Sequence, residues 1–574
     1  MKPVVQQRSL PETLPDGLMS VLQRVYAARG IHESRQLEVG LDRLLPADDL
    51  MNIRSAASRL LEAIQQQQSV LVVGDYDADG ATSTTVAIRA LRALGLQQID
   101  YLVPNRFEYG YGLSPEIVAV AVQSEPDLII TVDNGIASIA GVRLARDSGI
   151  DVLITDHHLP GEQLPDASVI VNPNQSGDRF ASKSLAGVGV VFYIMLALRA
   201  LMREQGWFTR QGIQEPNLAE LLDLVALGTV ADVVSLDHNN RILVEQGLRR
   251  MRAARTQPGI KALAQVADRQ MARLNSADLG YALAPRLNAA GRLEDMSIGI
   301  ECLLTDDPGK AQQLAAQLDG INHERRTISR DMEDEAAGML EALHLSDNED
   351  NWPVIYCLYQ PYWHQGVIGI LAGRIKEKTH RPVIVFADGE NDELKGSARS
   401  IAGFHIRDAL DAVASANPGL ITKFGGHAMA AGLSLAKHEF ERFRKALQVH
   451  AASVLDQQLL QNTVLTDGSL TDNELSMDTA RALESGGPWG QDFPEPLFEG
   501  KFRVLNCRRI GADQRHRKFR LLSGTLELDA VAFNQADGIC PDNNEVIHVT
   551  YRLQVNRYRG FETLQLIIQD LLDK

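Results

Sequence analysis

Val70-Leu71-Val72-Val73-Gly74-Asp75-Tyr76-Asp77-Ala78-Asp79-Gly80 begins as an apolar run and ends as alternating carboxylates between two glycines. A short apolar run closed by a turn reads as a buried strand. The helical segment that follows, Thr82–Leu94, places the acids at the carboxyl end of that strand. The pattern recurs: Leu128-Ile129-Ile130 leads through Thr131 and Val132 into Asp133, and Val152-Leu153-Ile154 stops one residue before Asp156-His157-His158. In an open α/β sheet, ligands collect outside the carboxyl ends of the strands. Three strands therefore aim carboxylates and imidazoles at one crevice, which is the signature of a cation site.

Strand-like runs near 69–74, 99–104, 127–132, 151–155 and 168–172 alternate with helical segments, which predicts a parallel sheet covered on both faces. Residues 1–50 read as an arm packed on this first domain, which spans 51–240. Residues 241–345 lack strand signals and form a helical connector with a long helix over Gln312–Leu343. A smaller α/β lobe occupies 346–456. Five short strands in 465–574 suit a closed β-barrel of the OB type.

At 574 residues the chain exceeds one core, and 45% hydrophobic with 23% charged residues is ordinary for a soluble globular protein. The longest apolar stretch, Leu185–Leu198, is short of the roughly 17 residues that span a bilayer. Met1–Leu18 carries acids and prolines where a signal peptide needs an apolar core. Cys302, Cys357, Cys507 and Cys540 are far apart, which suggests reduced thiols in a cytoplasmic protein. A net charge of −17 argues globally against a nucleic-acid binder. Locally, Lys501–Arg520 holds eight Lys or Arg and one acid, Asp513, so a basic patch on an acidic protein is expected.

Taken alone, the Asp75/Asp77/Asp79 run fits a calcium loop, an acid-rich turn or a catalytic site equally well. Asp133 alone fits a turn or helix cap. Adjacent His157 and His158 at a strand end are costly to bury without ligands or hydrogen bonds. Asp232, inside the apolar run Gly228–Val234, needs a metal or a cationic partner. The conjunction decides: so many acids at neighbouring strand ends repel one another without cations. Two divalent ions roughly 3.5–4 Å apart are a standard answer. Oxygen and imidazole ligation without thiolate favours Mn²⁺ over zinc, while Mg²⁺ suits the carboxylates. Phosphoester hydrolysis is the reaction class that follows.

These motifs, with Pro104-Asn105-Arg106, Tyr109-Gly110-Tyr111-Gly112-Leu113, Pro285–Arg292 and Gly425–Gly432, resemble the DHH phosphoesterase superfamily. The further motifs narrow the resemblance to its bacterial single-strand-specific exonucleases and cover nearly the whole chain. The resemblance implies a DHH domain, a DHHA1-type second lobe and a terminal OB-fold. It also implies 5′-to-3′ degradation of single-stranded DNA in recombination and repair with two Mn²⁺ or Mg²⁺ ions. Its implied partners are single-stranded DNA, a single-strand-binding protein and a recombination helicase; the chain is expected to be monomeric, with no membrane partner.

Carried over, Asp75, Asp77, Asp79, Asp133, His157 and Asp232 hold metal, and Asp77 and Asp133 are also counted as catalytic. His158 faces the scissile phosphate or the leaving oxygen, as an acid, an oxyanion donor or a support for the ligands. Arg374, Ser397, Arg399 and His427, with Gly425 and Gly426 ahead of an expected Ala/Gly-rich helix, are candidate phosphate contacts; close helix packing explains the small residues equally well. Arg106 and Arg292 form either a 5′-phosphate pocket or surface ion pairs. Tyr109 and Tyr111 either stack on bases or pack. Arg515, Arg517 and Lys518, with Arg508, Arg509, Phe519 and Arg520, fit a barrel that tracks a phosphate backbone; a solvated basic loop is the alternative. Two other functions fit parts of the pattern: an inactive DNA-binding scaffold, and a phosphoesterase for small substrates.

Overall fold

A computed structural model describes residues 3–104, 112–346, 352–511, 514–535 and 540–572. After β1 (Val4–Gln7), five strands form a parallel sheet: β2 (Val70–Gly74), β3 (Ile99–Leu102), β4 (Leu128–Val132), β5 (Asp151–Thr155) and β6 (Val169–Val171). Their order is β3-β2-β4-β5-β6. β2 and β4 are buried at every residue, as strands covered on both faces must be. Side chains alternate between two cores. Val70, Val72, Leu128 and Ile130 meet the helices Ile53–Gln66, Ala78–Leu94 and Gly187–Glu204. Leu71, Val73, Ile129 and Val152 meet Pro115–Ala121 and Ile139–Asp147. The chain leaves β2 for β3 on one side and returns to β4 on the other, so the crevice outside β2 and β4 is the switch point of the sheet.

The connector is helical from His238 to the 39-residue helix Pro308–Ser346. The second lobe holds β7 (Tyr356–Tyr359), β8 (Val383–Asp388), β9 (Glu393–Arg399), β10 (Lys423–Gly426) and β11 (Ala430–Ala436), in the order β10-β11-β9-β8-β7. Gly425 and Gly426 thus end a strand of a hairpin and do not lead into the expected helix. The Ala/Gly-rich run that follows is β11, paired on both sides by β10 and β9. The crowding lies on the facing strand, where a Cβ on Gly396 would strike Phe386 and Leu433, and at the turn, where one on Gly426 would strike Ala431.

β12 (Thr463–Thr466) pairs in parallel with β1. β13 (Phe498–Ile510), β14 (His516–Ser523), β15 (Leu526–Ala532), β16 (Val546–Tyr558) and β17 (Phe561–Leu571) close a barrel in the order β13-β14-β15-β17-β16. The amino-terminal arm is not confined to the first domain. Val21 and Val25 of its helix Ser20–Ala27 enter the barrel core, and Arg29 makes a buried ion pair with Asp467 at 2.7 Å. The arm also packs on the first domain as expected, through Tyr26, Ile31 and Leu50, and so bridges the two. Among the described residues, no helix is long and apolar enough to cross a membrane.

Candidate metal centre and its surroundings

Asp77 is the cap of the helix Ala78–Leu94, and its Oδ1 accepts from the backbone N–H of Asp79 at 2.9 Å and of Gly80 at 3.0 Å. The turn is tight enough that a Cβ on Gly80 would strike the Asp75 backbone. Asp79 is buried in the first helical turn and accepts from Gly187 N–H at 2.7 Å and Val188 N–H at 3.0 Å. Two acids are thus held by helix N-termini, where carboxylates are favoured.

Asp133 follows β4 with φ of +60° and is buried against Gly187, whose Cβ, if added, would lie 2.7 Å from the Asp133 Cβ. His157 points Nε2 at Asp133 Oδ1, 3.1 Å away, and at Asp232 Oδ2, 3.5 Å away. That nitrogen is buried and makes no hydrogen bond. Asp232 comes from the end of the helix Leu222–Ala231 and not from a strand. The helix is buried on nearly every side, so its sequence shows no amphipathic period.

Ligand atoms converge in two groups, Asp75/Asp77/Asp133 and Asp79/His157/Asp232, each within 4.8 Å; His157 also groups with Asp133 and His158. Burial and the neighbouring carboxylates push Asp79 up to about 7 and Asp232 up to about 7, and hold Asp133 well above the ordinary carboxylate range. Like charges this close cannot all ionise unaided. Burial keeps His157 below the ordinary histidine value, in the neutral form that ligates metal. A buried donor nitrogen without a hydrogen bond, amid oxygen ligands and no thiolate, fits hard divalent cations such as Mn²⁺ or Mg²⁺.

Asp156 does not join the cation cage. Its Oδ1 accepts from His157 N–H at 2.7 Å, His158 N–H at 3.0 Å and His158 Nδ1 at 2.7 Å, and its Oδ2 from Ile136 N–H at 2.9 Å. Burial alone would push His158 down, but Asp156 and the surrounding acids raise it to about 9. Asn172 and Asn174 hold the carbonyls of His158 and His157 at 2.8 and 2.6 Å. No spacing pattern announces these amides; Asp156 was legible only as part of its motif.

The second lobe faces this centre. His427 stacks on His158 at 6.3 Å between ring centroids. Ser397 and Arg399 lie on β9 close to Gly369 in the first turn of the helix Ile368–Thr379, and Arg399 Nη1 donates to Ser397 Oγ at 3.3 Å. Arg374, further along that helix, is ion-paired to Glu333 of the connector. Arg292 donates to Gly366 O at 3.3 Å, linking connector and lobe. The motif around it also braces the acid loop: Asn288 accepts from Ala78 N–H at 2.8 Å, and Gly291 lies against the Tyr76 carbonyl. Arg106, Tyr109 and Tyr111 lie outside the described residues.

The barrel patch is only partly as expected. Phe519 is buried in the barrel core and Arg517 is buried as well. Lys518 pairs with Asp529 at 3.2 Å and Arg520 with Glu527 at 2.7 Å, acids supplied by the neighbouring β15. Arg508, Arg509 and Arg515 are exposed. Across β13 and β14, Arg508 sits opposite Lys518 and Arg509 opposite Arg517. Neighbouring residues of a strand alternate in face, so the two pairs lie on opposite sides of the sheet, and Lys518 is already met by Asp529.

Residues 69–229 match the model of the DHH family, N-terminal domain; 351–452 match the DHHA1 domain, and 466–570 the RecJ OB domain. The chain is 52% identical over 577 residues to the single-stranded-DNA-specific exonuclease RecJ of Dickeya dadantii, covering 100% of both chains. It is 51% identical over 572 residues to that of Escherichia coli, covering 99% of this chain and 98% of the relative. The crystal structure of RecJ with Mn²⁺ from Thermus thermophilus superposes with a TM-score of 0.81 at 31% identity, covering 100% of this chain and 80% of that one. Its Mg²⁺ counterpart gives a TM-score of 0.75 at 29% identity, with 100% and 78% covered.

Proposed function

The chain belongs to the RecJ family of single-stranded-DNA-specific exonucleases, within the DHH phosphoesterases, and on that footing we propose how its residues divide the work. It is a metal-dependent exonuclease using Mn²⁺ or Mg²⁺. The observation that carries the division is the pair of ligand groups converging at the switch point, with His427 of the second lobe stacked across His158.

Asp75, Asp77 and Asp133 would hold one cation, and Asp79, His157 and Asp232 the other. Such ions supply Lewis-acid polarisation of phosphoryl oxygens and acidify water. The protein's own groups orient the reaction. Asp156 fixes the Nδ1 side of His158, which leaves Nε2 to donate to a phosphate oxygen or to the departing 3′-oxygen. Ser397, Arg399 and Arg292 grip the phosphate at the 5′ end and supply 5′-to-3′ polarity. Gly425, Gly426 and His427 approach the scissile phosphate from the hairpin, with His427 stacked on His158. Arg374 serves indirectly, bracing the lobe against the connector. The exposed arginines of the barrel, Arg508, Arg509 and Arg515, hold the trailing strand.

A single-strand-binding protein and a recombination helicase as partners, a monomeric state and a cytoplasmic location complete the proposal, resting on the family resemblance. The test is one DNA strand labelled separately at each end and digested in Mn²⁺ and in Mg²⁺. Label at the 5′ end should appear as released nucleotide at once, and 3′ label only at the end. Release from the 3′ end first would reverse the polarity. Asp77→Ala and His157→Ala should abolish hydrolysis in Mn²⁺; appreciable residual turnover would contradict the ligand assignment.

A further inference from the structure

The sheet ladder stops just short of the two histidines. β6 is an edge strand of three residues, and its last backbone bond to the β5 side is Val171 O accepting from Asp156 N–H at 3.1 Å. A backbone carbonyl is an obligatory acceptor, so chain that outruns its neighbour strand has to be answered some other way. Here two side-chain amides take over. Asn174 Nδ2 donates to His157 O at 2.6 Å, and Asn172 Nδ2 to His158 O at 2.8 Å. The turn that carries them is itself tied down. Asn172 is fully buried, and its Oδ1 accepts from Asn174 N–H at 2.7 Å. Lys183, ion-paired with Asp178 at 2.7 Å, donates to the intervening Pro173 carbonyl at 2.7 Å.

The two rings are supported differently. A ligating histidine ordinarily has its second ring nitrogen fixed by a hydrogen bond. His158 carries such a bond, between Nδ1 and Asp156 Oδ1 at 2.7 Å. The His157 ring carries none among the described residues; its Nε2 points at Asp133 and Asp232. What His157 has instead is a backbone held on both sides, with its N–H on Asp156 Oδ1 at 2.7 Å and its carbonyl on Asn174 at 2.6 Å. Fixing the backbone fixes the Cα–Cβ direction, and with it the path of the ring.

We propose that Asn172 and Asn174 are positioning residues with separate duties, a two-pronged clamp on the histidine pair. Asn174 aims the His157 ring at the acid cluster and so sets cation affinity. Asn172 seats His158 at the scissile phosphate and so sets turnover. This rests on the ligand reading of His157 and the phosphate reading of His158.

The test uses the full chain freed of metal, with Mn²⁺ binding followed by titration calorimetry beside hydrolysis of a single strand at saturating Mn²⁺. Asn174→Ala should weaken Mn²⁺ binding about tenfold, the lower end of what losing such a support costs, and lower kcat much less. Asn172→Ala should lower kcat about tenfold and move Mn²⁺ affinity much less. The glutamine variants keep the donor on a longer arm and should fall between wild type and alanine on the same axis; they decide where an alanine variant fails to fold. Wild-type Mn²⁺ affinity in the Asn174 variants would overturn the clamp. So would equal changes of both quantities in both variants, which would mark a single structural turn. A Mn²⁺ isotherm unchanged in His157→Ala would instead overturn the ligand reading beneath it.

Discussion

At the scale of single residues, the metal centre depends as much on missing side chains as on the acids. Asp133 and Asp79 reach their places because Gly187 and Gly228 leave room: a Cβ on Gly187 would meet Asp133 Oδ1 at 2.8 Å, and one on Gly228 would meet Asp79 Oδ1 at 2.9 Å. Gly187→Ala should therefore displace Asp133 while leaving the helix Gly187–Glu204 intact, since alanine suits a helix better than glycine. The expected result is a ~10- to 100-fold rise in the Mn²⁺ concentration needed for half-maximal hydrolysis, with unchanged far-ultraviolet circular dichroism. An unchanged metal requirement would show that the close approach is incidental. The acids themselves were legible in the sequence because a carboxylate at a strand end has few cheap explanations. Asp232 was legible as a member of the acid cluster but not as a helix end, because a helix buried all round gives no period to read. Gly187 and the amides of Asn172 and Asn174 carried no signal, because their value lies in contacts between segments far apart in the chain.

At the scale of elements, strands that end in acid were placed to within a few residues, and the barrel's five strands emerged from alternation alone. The hairpin of β10 and β11 did not, because alanine and glycine read as helix or turn unless the partner strand is known. The same blindness to partners hid the destination of the amino-terminal helix Ser20–Ala27. Its link to the barrel domain can be tested through Glu474, which accepts from Arg24 at 2.9 Å and from Thr471 N–H at 2.9 Å. Partial burial by itself would raise that carboxyl, but Arg24 and the Thr471 N–H hold it at about 2. The folded value is depressed, so the stabilisation is complete above the ordinary value near 4.5 and drains away as pH falls toward 2. Glu474→Gln should lower stability at pH 7 by about 1 kcal/mol, discounted for solvent screening. In urea unfolding the gap to wild type should be narrower at pH 3 than at pH 7. A gap of the same size at both would mean that the contact acts through shape and not through charge.

At the scale of the whole molecule, a chain of net charge −17 has to bind a polyanion, and local arrangement makes that possible. Counting Lys501–Arg520 in the sequence overstated the patch. Lys518 and Arg520 are answered by Asp529 and Glu527, which the register of β14 against β15 brings alongside, and Phe519 is turned inward by the strand's own alternation. Arg508, Arg509 and Arg515 are exposed, and two of them stand opposite other cations across the strand pair. Exposed arginines lend local positive charge to a phosphate backbone whatever the net charge of the chain, so their removal should be felt in strand binding. Replacing Arg508, Arg509 and Arg515 together by alanine should weaken binding of a long single strand and flatten the dependence of log Kd on log salt. Each phosphate contact on a single strand contributes a slope of about 0.7, so the loss of three should flatten it by about 2. The same variant should melt close to wild type, as exposed substitutions do. A lower melting temperature with an unchanged salt slope would make the arginines structural, and the barrel's hold on the strand would then have to lie on another face.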